Sequence, residues 1–290
     1  MSASETGAPE IGWSFLRSGL WIGYFTLFVA FSITCVFLGN WQFDRRDEAR
    51  EEIARLDRNY DAPPVALSEA LPELAEFDDA ADKWLTVTAT GTYVGDPVLA
   101  RNRPGPQGVG ANIIAPFRTS DGAVLFIDRG WIQASGPEIE NAFATLPAPS
   151  GGELTIVARL RASEPAITGR TASGRTVASI DLPAIAKLID LPYPSYSAAY
   201  GMLVSETPAG AHGVLPPKPE RDEGPHLSYA LQWYVFILVA GVGVAYAARV
   251  EYRNLNAQSD RVRAMNAKEA ARRKRRGMSD ADEEDALLGV

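Results

Sequence analysis

The chain has 290 residues, of which 46% are hydrophobic, and its formal net charge is −8 at pH 7. This length allows one sizeable domain together with membrane segments, and the mixture of both charge signs disfavours nucleic acid as a partner. One cysteine and two histidines exclude an intramolecular disulfide, a Cys-rich zinc site, covalent c-type haem attachment and a multi-histidine metal site. The sequence also has no GxSxG, HExxH, P-loop or GxGxxG pattern, which favours a protein that is not an enzyme.

The N-terminal part of the chain predicts a short tail, residues 1–17, followed by a membrane span. Residues 18–43 carry no charge, and their apolar centre, Leu20–Leu38, is long enough to cross a hydrocarbon core of roughly 30 Å. A cleaved signal peptide is the alternative, but it needs a shorter apolar core and an A-x-A-like cleavage site. Gly39, Asn40 and Trp41 follow the apolar run instead, so a retained transmembrane helix over 18–43 is favoured.

A helical extension is predicted beyond the first span, over residues 44–60. This stretch has mixed charge and no Pro or Gly, and Ile53, Leu56 and Tyr60 recur at three- and four-residue steps. Pro63 and Pro64 then end the helix.

From Lys83 the pattern changes to short β-branched or aromatic runs separated by Gly, Pro and Asp. Such spacing predicts a mainly antiparallel sheet or a partly open barrel, within a β-rich domain over residues 44–225. One helix, Asp181–Asp190, is expected among the later strands, with Asp181 as N-cap and Pro183 in its first turn. The expected strands are WLTVTATGTY, VLARNR, GANIIAPFR, AVLFIDRGWI and ELTIVARLR, with weaker ones at RTVASI and SYSAAYGMLV.

A second span is predicted over residues 226–248, which carry no charge after His226. Basic residues are concentrated after its C-terminal end and place the tail that follows, residues 249–290, in the cytoplasm. We expect this tail to be disordered. Its run of basic residues could contact anionic lipid. Arg17 indicates a cytoplasmic N-terminus as well. We therefore predict an α+β membrane protein, a two-helix transmembrane hairpin with a large extracytoplasmic domain. The basic residues are Arg249, Arg253, Arg261, Arg263 and Lys268.

Small residues indicate how the two spans could pack. Gly19 and Gly23 form a GxxxG pattern in the first span, and Gly241/Ala245 and Gly243/Ala247 repeat the four-residue spacing in the second. Such faces let helices approach closely. The alternative is that Gly and Ala are simply common in membrane helices.

Two groups of residues stand near the outer ends of the spans. Trp41 and Arg45 share a face of the first helix, and His226, Tyr229 and Trp233 share a face of the second. Aromatic walls, a cation and an imidazole are what a planar anionic ligand such as haem requires. The alternative is an ordinary interfacial belt, in which the aromatic rings and the arginine meet lipid headgroups.

The most distinctive motif of the β-rich domain is IDRGWI. Gly130 permits a positive φ or a close backbone approach, and Trp131 is a large apolar group at a turn. A strand-end aromatic that closes the core is favoured over a direct ligand contact for Trp131.

Taken in order, these segments resemble the SURF1 family of cytochrome c oxidase assembly factors. Two departures from the family pattern are Asp47-Glu48-Ala49, where a basic-aromatic continuation is usual after WQxxR, and Asp128, where asparagine usually precedes RGW. The resemblance is carried by LGNWQFDRR at Leu38–Arg46, GTY at Gly91–Tyr93, RNRPGPQGVG at Arg101–Gly110, DRGWI at Asp128–Ile132 and HLSYALQWY at His226–Tyr234.

The resemblance implies a non-enzymatic protein of the bacterial cytoplasmic membrane. It would bind haem a transiently and assist its insertion into subunit I of cytochrome c oxidase, with haem a synthase as a further partner. Bacterial members bind haem a, and a histidine at the start of the second span, here His226, is implied as the iron ligand, with Tyr229, Trp233, Trp41 and Arg45 around it. A haem-free membrane scaffold for subunit I is one alternative, and an envelope hydrolase using His212 is another.

Overall fold

The computed structural model describes residues 11–136, 139–170 and 172–276, which fall into two compact units. One unit combines the chain up to Asp47 with the chain from Gly224 onward, and the other is Glu48–Glu223. The helices are α1 (Gly19–Asn59), α2 (Leu67–Ala70), α3 (Asp79–Asp82), α4 (Ile139–Ala142), α5 (Leu182–Leu188), α6 (His226–Leu255) and α7 (Asp260–Arg276). The strands are β1 (Val65–Ala66), β2 (Thr86–Tyr93), β3 (Val98–Gly105), β4 (Gly108–Thr119), β5 (Val124–Ile132), β6 (Leu154–Ala162), β7 (Thr176–Val177) and β8 (Ala199–Thr207).

The first unit is built on α1 and α6, which pack as an antiparallel pair. Gln42 contacts His226 at one end, and Trp21 packs with Ala248 at the other. Both helices are long and apolar enough to cross a membrane, and only 11% and 6% of their most apolar windows are buried inside the structure. Core helices of a soluble domain would be mostly buried, so the two helices and the sheet domain fit a membrane-anchored α+β protein.

The predicted packing of small residues between the spans is wrong. A Cβ atom added at Gly19, Gly23 or Gly243 would meet no described atom within 4 Å, so these positions are open. A Cβ at Gly241 would lie 3.5 Å from the ring of Phe28 instead. The large aromatic side chains of α1 therefore occupy the interface, and the small residues of α6 face them or remain open.

The predicted disorder after Arg249 is also wrong for residues 249–276, because α6 continues to Leu255 and α7 follows it. The ring of Tyr252 stacks on Trp13 at 4.4 Å, and the side chain of Asn256 accepts a hydrogen bond of 2.9 Å from the Gly12 amide. Val262 of α7 is fully buried in the same cluster. Residues 1–10 and 277–290, the rest of the predicted tails, lie outside the described residues.

In the second unit, the end of α1 packs on the sheet domain through the extension predicted over 44–60. Glu52 accepts hydrogen bonds from the indole of Trp84 at 2.9 Å and from Lys83 at 3.0 Å. Leu56 and Tyr60 form an apolar cluster with Trp84. The three- and four-residue spacing of this stretch therefore lines up one face of the helix on the domain.

The sheet has eight strands in the order β1-β2-β6-β8-β5-β4-β3-β7, and an additional pairing of β2 with β4 closes β2, β6, β8, β5 and β4 into a ring. The sheet is mixed but mainly antiparallel, as predicted. The β1–β2, β3–β7 and β5–β8 pairs are parallel, whereas the other pairs are antiparallel. Short strands β1 and β7 extend the sheet outside the ring, which accounts for two of the parallel pairs.

Strand β5 is buried on both faces. Leu125 and Ile127 point into the main core cluster, whereas Phe126 packs in a second cluster with Ile185 of α5. A strand covered on both sides carries a continuous apolar run, and Val124–Ile127 is such a run. The predicted helix is confirmed here, since Asp181 caps α5 by accepting a hydrogen bond of 3.1 Å from the Ala184 amide.

Arg129 at the end of β5 forms a buried ion pair with Glu206 of β8, and each side chain is only 1% exposed. Its Nε donates to Glu206 Oε1 at 3.0 Å, and other guanidinium N–H groups donate to the carbonyls of Pro147 at 3.0 Å and Ala211 at 2.6 Å. The Tyr93 hydroxyl of β2 donates to the same carboxylate at 2.7 Å. Burial first, and then Glu206, raise the pKa of Tyr93, which keeps its hydroxyl a donor.

Replacing Arg129 with leucine is expected to lower the free energy of unfolding by about 3–5 kcal/mol, because Glu206 would keep a buried charge without its partner. The double variant Arg129→Leu/Glu206→Leu is expected to recover part of that loss. Thermal or urea unfolding of the purified protein measures both.

Arg175→Leu is the matched control, because Arg175 pairs with Asp96 at the surface, where side chains are 40% and 78% exposed. Such pairs contribute about 0–1 kcal/mol. If Arg129→Leu and Arg175→Leu unfold at the same temperature, the buried ion pair contributes no more to stability than the exposed one.

Candidate functional site

The first residue of α6 lies directly against α1. His226 Nδ1 is 2.9 Å from Gln42 Oε1, and an amide oxygen can only accept, so Nδ1 is the protonated ring nitrogen. The neutral imidazole then carries its lone pair on Nε2. Many metal-ligating histidines are held in this way by an acceptor on the nitrogen that does not bind the metal.

Gly224 leaves room beside the other ring nitrogen. A Cβ atom at this position would lie 3.2 Å from His226 Nε2, which is tighter than ordinary van der Waals contact. Gly224 also has a φ of +69°, a conformation that glycine adopts without strain. The glycine therefore keeps both the backbone turn before α6 and the approach to Nε2 open.

Tyr234, which follows His226 on α6, also contacts α1 at this end of the helix pair. Its hydroxyl donates to Asn40 Oδ1 at 2.9 Å, and its ring lies so close to Gly39 that a Cβ there would approach it to 2.9 Å. Phe43 adds a ring contact at 6.4 Å. These contacts fix the rotation of α6 relative to α1 at the depth of His226.

The other predicted site residues flank one side of the helix pair. An α-helix turns by about 100° per residue, so positions can be compared by their rotation about the helix axis. Measured from His226 on α6, Tyr229 is rotated by about 60° and Trp233 by about 20°. Arg45 and Trp41 lie about 60° and 100° from the contact glutamine of α1, in the same rotational sense. The two helices run antiparallel, and Gln42 and His226 face each other. Side chains that are rotated from these two residues in the same direction therefore lie on the same side of the helix pair.

This side of the pair is open. Trp41 is 47% exposed and Tyr229 is 50% exposed, so neither is packed between the helices. The structure therefore joins His226 to α1 through Gln42, not through Trp41 or Arg45. Among the described residues there is no group of three or more His, Cys, Asp or Glu side chains that could hold a metal ion.

The DRGW strand of the sheet domain is a structural element. Trp131 is 5% exposed, and its indole donates to the Arg103 carbonyl at 3.0 Å. Its ring lies where side chains at Gly105 or Gly110 would stand. The expectation that Trp131 closes the core is confirmed.

Asp128 is buried beside this tryptophan and is held by two donors. The amide of Asn112 donates to it at 2.6 Å and the Gly130 backbone amide at 3.0 Å. Burial nevertheless raises the pKa of Asp128. Gly130, with a φ of +100°, lies against the backbone of Gly213, where a side chain would collide.

His212 lies in the segment that pairs with the DRGW strand. It is exposed, and its Nδ1 is 2.6 Å from the carbonyl oxygen of Gly213. Among the described residues no hydrogen bond joins it to a serine or a carboxylate. Its segment pairs with β5, since Trp131 and Val214 exchange backbone hydrogen bonds.

Comparison with known proteins shows which family the sequence matches. A model of the SURF1 family matches residues 29–238, from within α1 to within α6. The chain belongs to the SURF1 family. SURF1-like proteins of Mycobacterium bovis and of two strains of Mycobacterium tuberculosis are each 34% identical over 245 residues, which is 82% of this chain and 86% of theirs. A SURF1-like protein of Monosiga brevicollis is 29% identical over 121 residues, 36% of this chain and 43% of its own.

Membership of the SURF1 family implies a role in cytochrome oxidase assembly. In this SURF1 protein, the motifs of the sheet domain supply Tyr93, Arg129 and Trp131 to the buried contacts of the ring. The motifs on the helices supply Gln42 and His226 to the contact between the spans. Sequence reasoning missed Gln42, although it sits next to Trp41 in the quoted motif, because a lone glutamine carries no pattern of its own.

In this SURF1 protein Asp128→Asn is expected to stabilise the fold at neutral pH. The raised pKa means that the folded state keeps a proton that the unfolded chain loses near pH 3.9. Protonated Asp128 therefore contributes its full stability below about pH 3.9, and this contribution is lost as the pH rises through the pKa of the folded state. At about pH 7.5 the ionised carboxylate weakens the fold.

Melting temperatures measured from about pH 4 to 7.5 test this prediction, since the advantage of the asparagine variant should shrink toward acid. A gain of 1 kcal/mol corresponds to about 2–4 °C for a chain of this size. Asp96→Asn is the control, because Asp96 is exposed and its replacement should give no such trend. An advantage that is equal at every pH would contradict the assignment.

Proposed function

We propose that this SURF1 protein binds haem a transiently at the His226 end of the helix pair and assists its insertion into subunit I of cytochrome c oxidase. The observation that carries the proposal is the state of the histidine. Gln42 holds Nδ1, and the missing side chain of Gly224 leaves Nε2 accessible. This is the arrangement that an axial imidazole ligand needs.

The residues around His226 match the chemistry of the haem group. His226 would hold the haem iron through Nε2, and the iron would supply a metal centre that accepts a nitrogen donor. Trp41, Tyr229 and Trp233 offer exposed or half-buried aromatic surface on one side of the helices. Arg45, on the same side, supplies a guanidinium for a propionate.

The proposed location is the bacterial cytoplasmic membrane, with both termini in the cytoplasm and residues 44–225 outside. The basic residues after the second span, from Arg249 onward, support this orientation because cytoplasmic flanks carry an excess of Lys and Arg. His226 then lies at the outer boundary of the membrane. The protein performs no catalysis in this proposal, and its partners are subunit I, haem a synthase and the lipid bilayer.

His226→Ala is expected to remove or shift the absorbance of bound haem in protein purified from cells that make haem a, because the iron would lose its axial ligand. His212→Ala is the matched control and should keep the full spectrum. The measurements are the visible spectrum and the haem-to-protein ratio. If His226→Ala keeps the wild-type spectrum, a haem-free scaffold for subunit I becomes the better explanation.

Gln42→Leu is expected to weaken haem binding about 10- to 100-fold while the protein still accumulates, because the ligand ring would lose the acceptor that orients it. Arg45→Ala should weaken binding less, since it removes one charge-assisted contact at a partly wet boundary. Titration of the two purified variants with haem gives both affinities. Equal affinity of Gln42→Leu and wild type would show that the contact with His226 only packs the helices.

A further inference from the structure

Helix α7, which follows the second span, packs back on the C-terminal end of α6. Val262 of α7 is fully buried in one apolar cluster with Ala248 and Tyr252 of α6. Seven residues further along α7, the carboxylate of Glu269 pairs with Arg253 of α6 at 2.7 Å. Because both contacts are made with the last two turns of α6, α7 stays beside this end of the helix pair. It also lies beyond residues 29–238, which the family model matches.

This end of the helix pair is where both apolar runs stop. Ala248 is the last residue of the uncharged run in the second span, and Arg249 is the first cation after it. Trp21, near the start of the uncharged run in the first span, belongs to the same buried cluster as Val262. In a bilayer these residues lie where the hydrocarbon core meets the headgroups. The contacts of Val262 therefore hold α7 at the depth of the headgroups.

Three cations form one stripe along α7. At about 100° per residue, Arg261, Lys268 and Arg272 are rotated from the buried Val262 by about 80–120° in the same direction. All three are exposed, and none of them forms an ion pair within the part of the chain that the structure describes. The stripe therefore presents positive charge along roughly 16 Å of helix.

The acidic residues of α7 do not neutralise this stripe. Glu269 is rotated by only about 20° from Val262, and its charge is balanced by Arg253 of α6. Asp260 is rotated by about 160°, on the far side of the helix. Over its whole length α7 carries eight basic and two acidic residues. The charge of the stripe thus calls for an anionic partner outside the described residues.

Anionic phospholipid matches both the charge and the depth of the stripe. Polybasic segments next to a membrane span are attracted by anionic headgroups, whereas a zwitterionic surface has no net charge to attract them. The stripe also borders the face that carries Val262 and the half-buried Met265. An apolar face flanked by cations is typical of helices that lie in the membrane interface. Nucleic acid is also a polyanion, but a helix held at headgroup depth meets lipid first.

We propose that α7 is a docking surface for anionic phospholipid, with Arg261, Lys268 and Arg272 on the headgroup phosphates. This contact does not involve haem and is independent of the function proposed above. Only residues 256–259 separate α6 from α7, so a docked α7 fixes the depth of the C-terminal end of the second span. The charged helix thereby anchors the protein to the leaflet on that side.

The test follows hydrogen exchange of the α7 amides in the full-length protein, reconstituted into two kinds of vesicle. One is phosphatidylcholine alone, and the other is an equal mixture of phosphatidylcholine and phosphatidylglycerol. Exchange should be at least about tenfold slower in the mixed vesicles, because a docked helix opens less often. The difference should shrink in about 1 M salt, where the Debye length is about 3 Å. Exchange of the β5 amides is the internal reference and should be equal in both.

Replacing the stripe with glutamine should remove the difference between the vesicles. The variant is Arg261→Gln/Lys268→Gln/Arg272→Gln, and glutamine has a helix propensity close to that of lysine and arginine. Its α7 amides should exchange as in wild type in phosphatidylcholine alone, which shows that the helix is intact. The variant Arg261→Lys/Arg272→Lys retains the charge of the stripe and should retain the slowing in mixed vesicles.

The matched control removes the same charge from exposed positions of the sheet domain and should keep the full effect of phosphatidylglycerol. It is Arg58→Gln/Arg170→Gln/Lys187→Gln. Equal exchange of wild-type α7 in both vesicles would overturn the proposal, as would slowing that persists in the glutamine variant of the stripe. Slowing by short double-stranded RNA, added to phosphatidylcholine vesicles, without any slowing by phosphatidylglycerol would make nucleic acid the partner and would overturn it as well.

Discussion

The ion pair between Arg129 and Glu206 is the contact on which the sheet domain depends. It joins neighbouring strands β5 and β8, and Tyr93 brings β2 to the same carboxylate. The carbonyls of Pro147 and Ala211 complete the shell of the guanidinium. A buried pair adds little net stability over apolar residues, but an arrangement that separated the two charges would be heavily penalised. The pair therefore excludes other strand orders more than it strengthens this one.

The helix pair depends on a weaker but equally selective contact. Gln42 and His226 meet at one end, and Tyr234 packs on Gly39 just below them. In a membrane, polar contacts and close packing decide how helices associate, because lipid competes for every apolar face. Once the rotation of both helices is fixed, the side that carries Trp41 and Tyr229 is fixed as well. The proposed ligand site is thus a consequence of how the spans pack.

Much of this fold could be predicted from local sequence patterns. The two apolar runs, the helix that continues to Asn59, the capped helix after Asp181 and the core position of Trp131 all follow from rules about neighbouring residues. The parallel strand pairs, the contact of Gln42 with His226 and the burial of α7 depend on residues far apart in the chain. The GxxxG of the first span was misleading because aromatic residues on another face of α1 meet α6 first.

The positions of the buried network also constrain the order in which the protein can be made. Glu206 lies 113 positions after Tyr93 and 77 after Arg129. Most strands of the ring are therefore synthesised before the carboxylate to which both of these residues donate. Until β8 emerges from the ribosome, a guanidinium that has no anion must remain in water. The ring can close only when the chain is almost at α6. The buried network therefore cannot form before β8 has been synthesised, which is just before the second long helix is made.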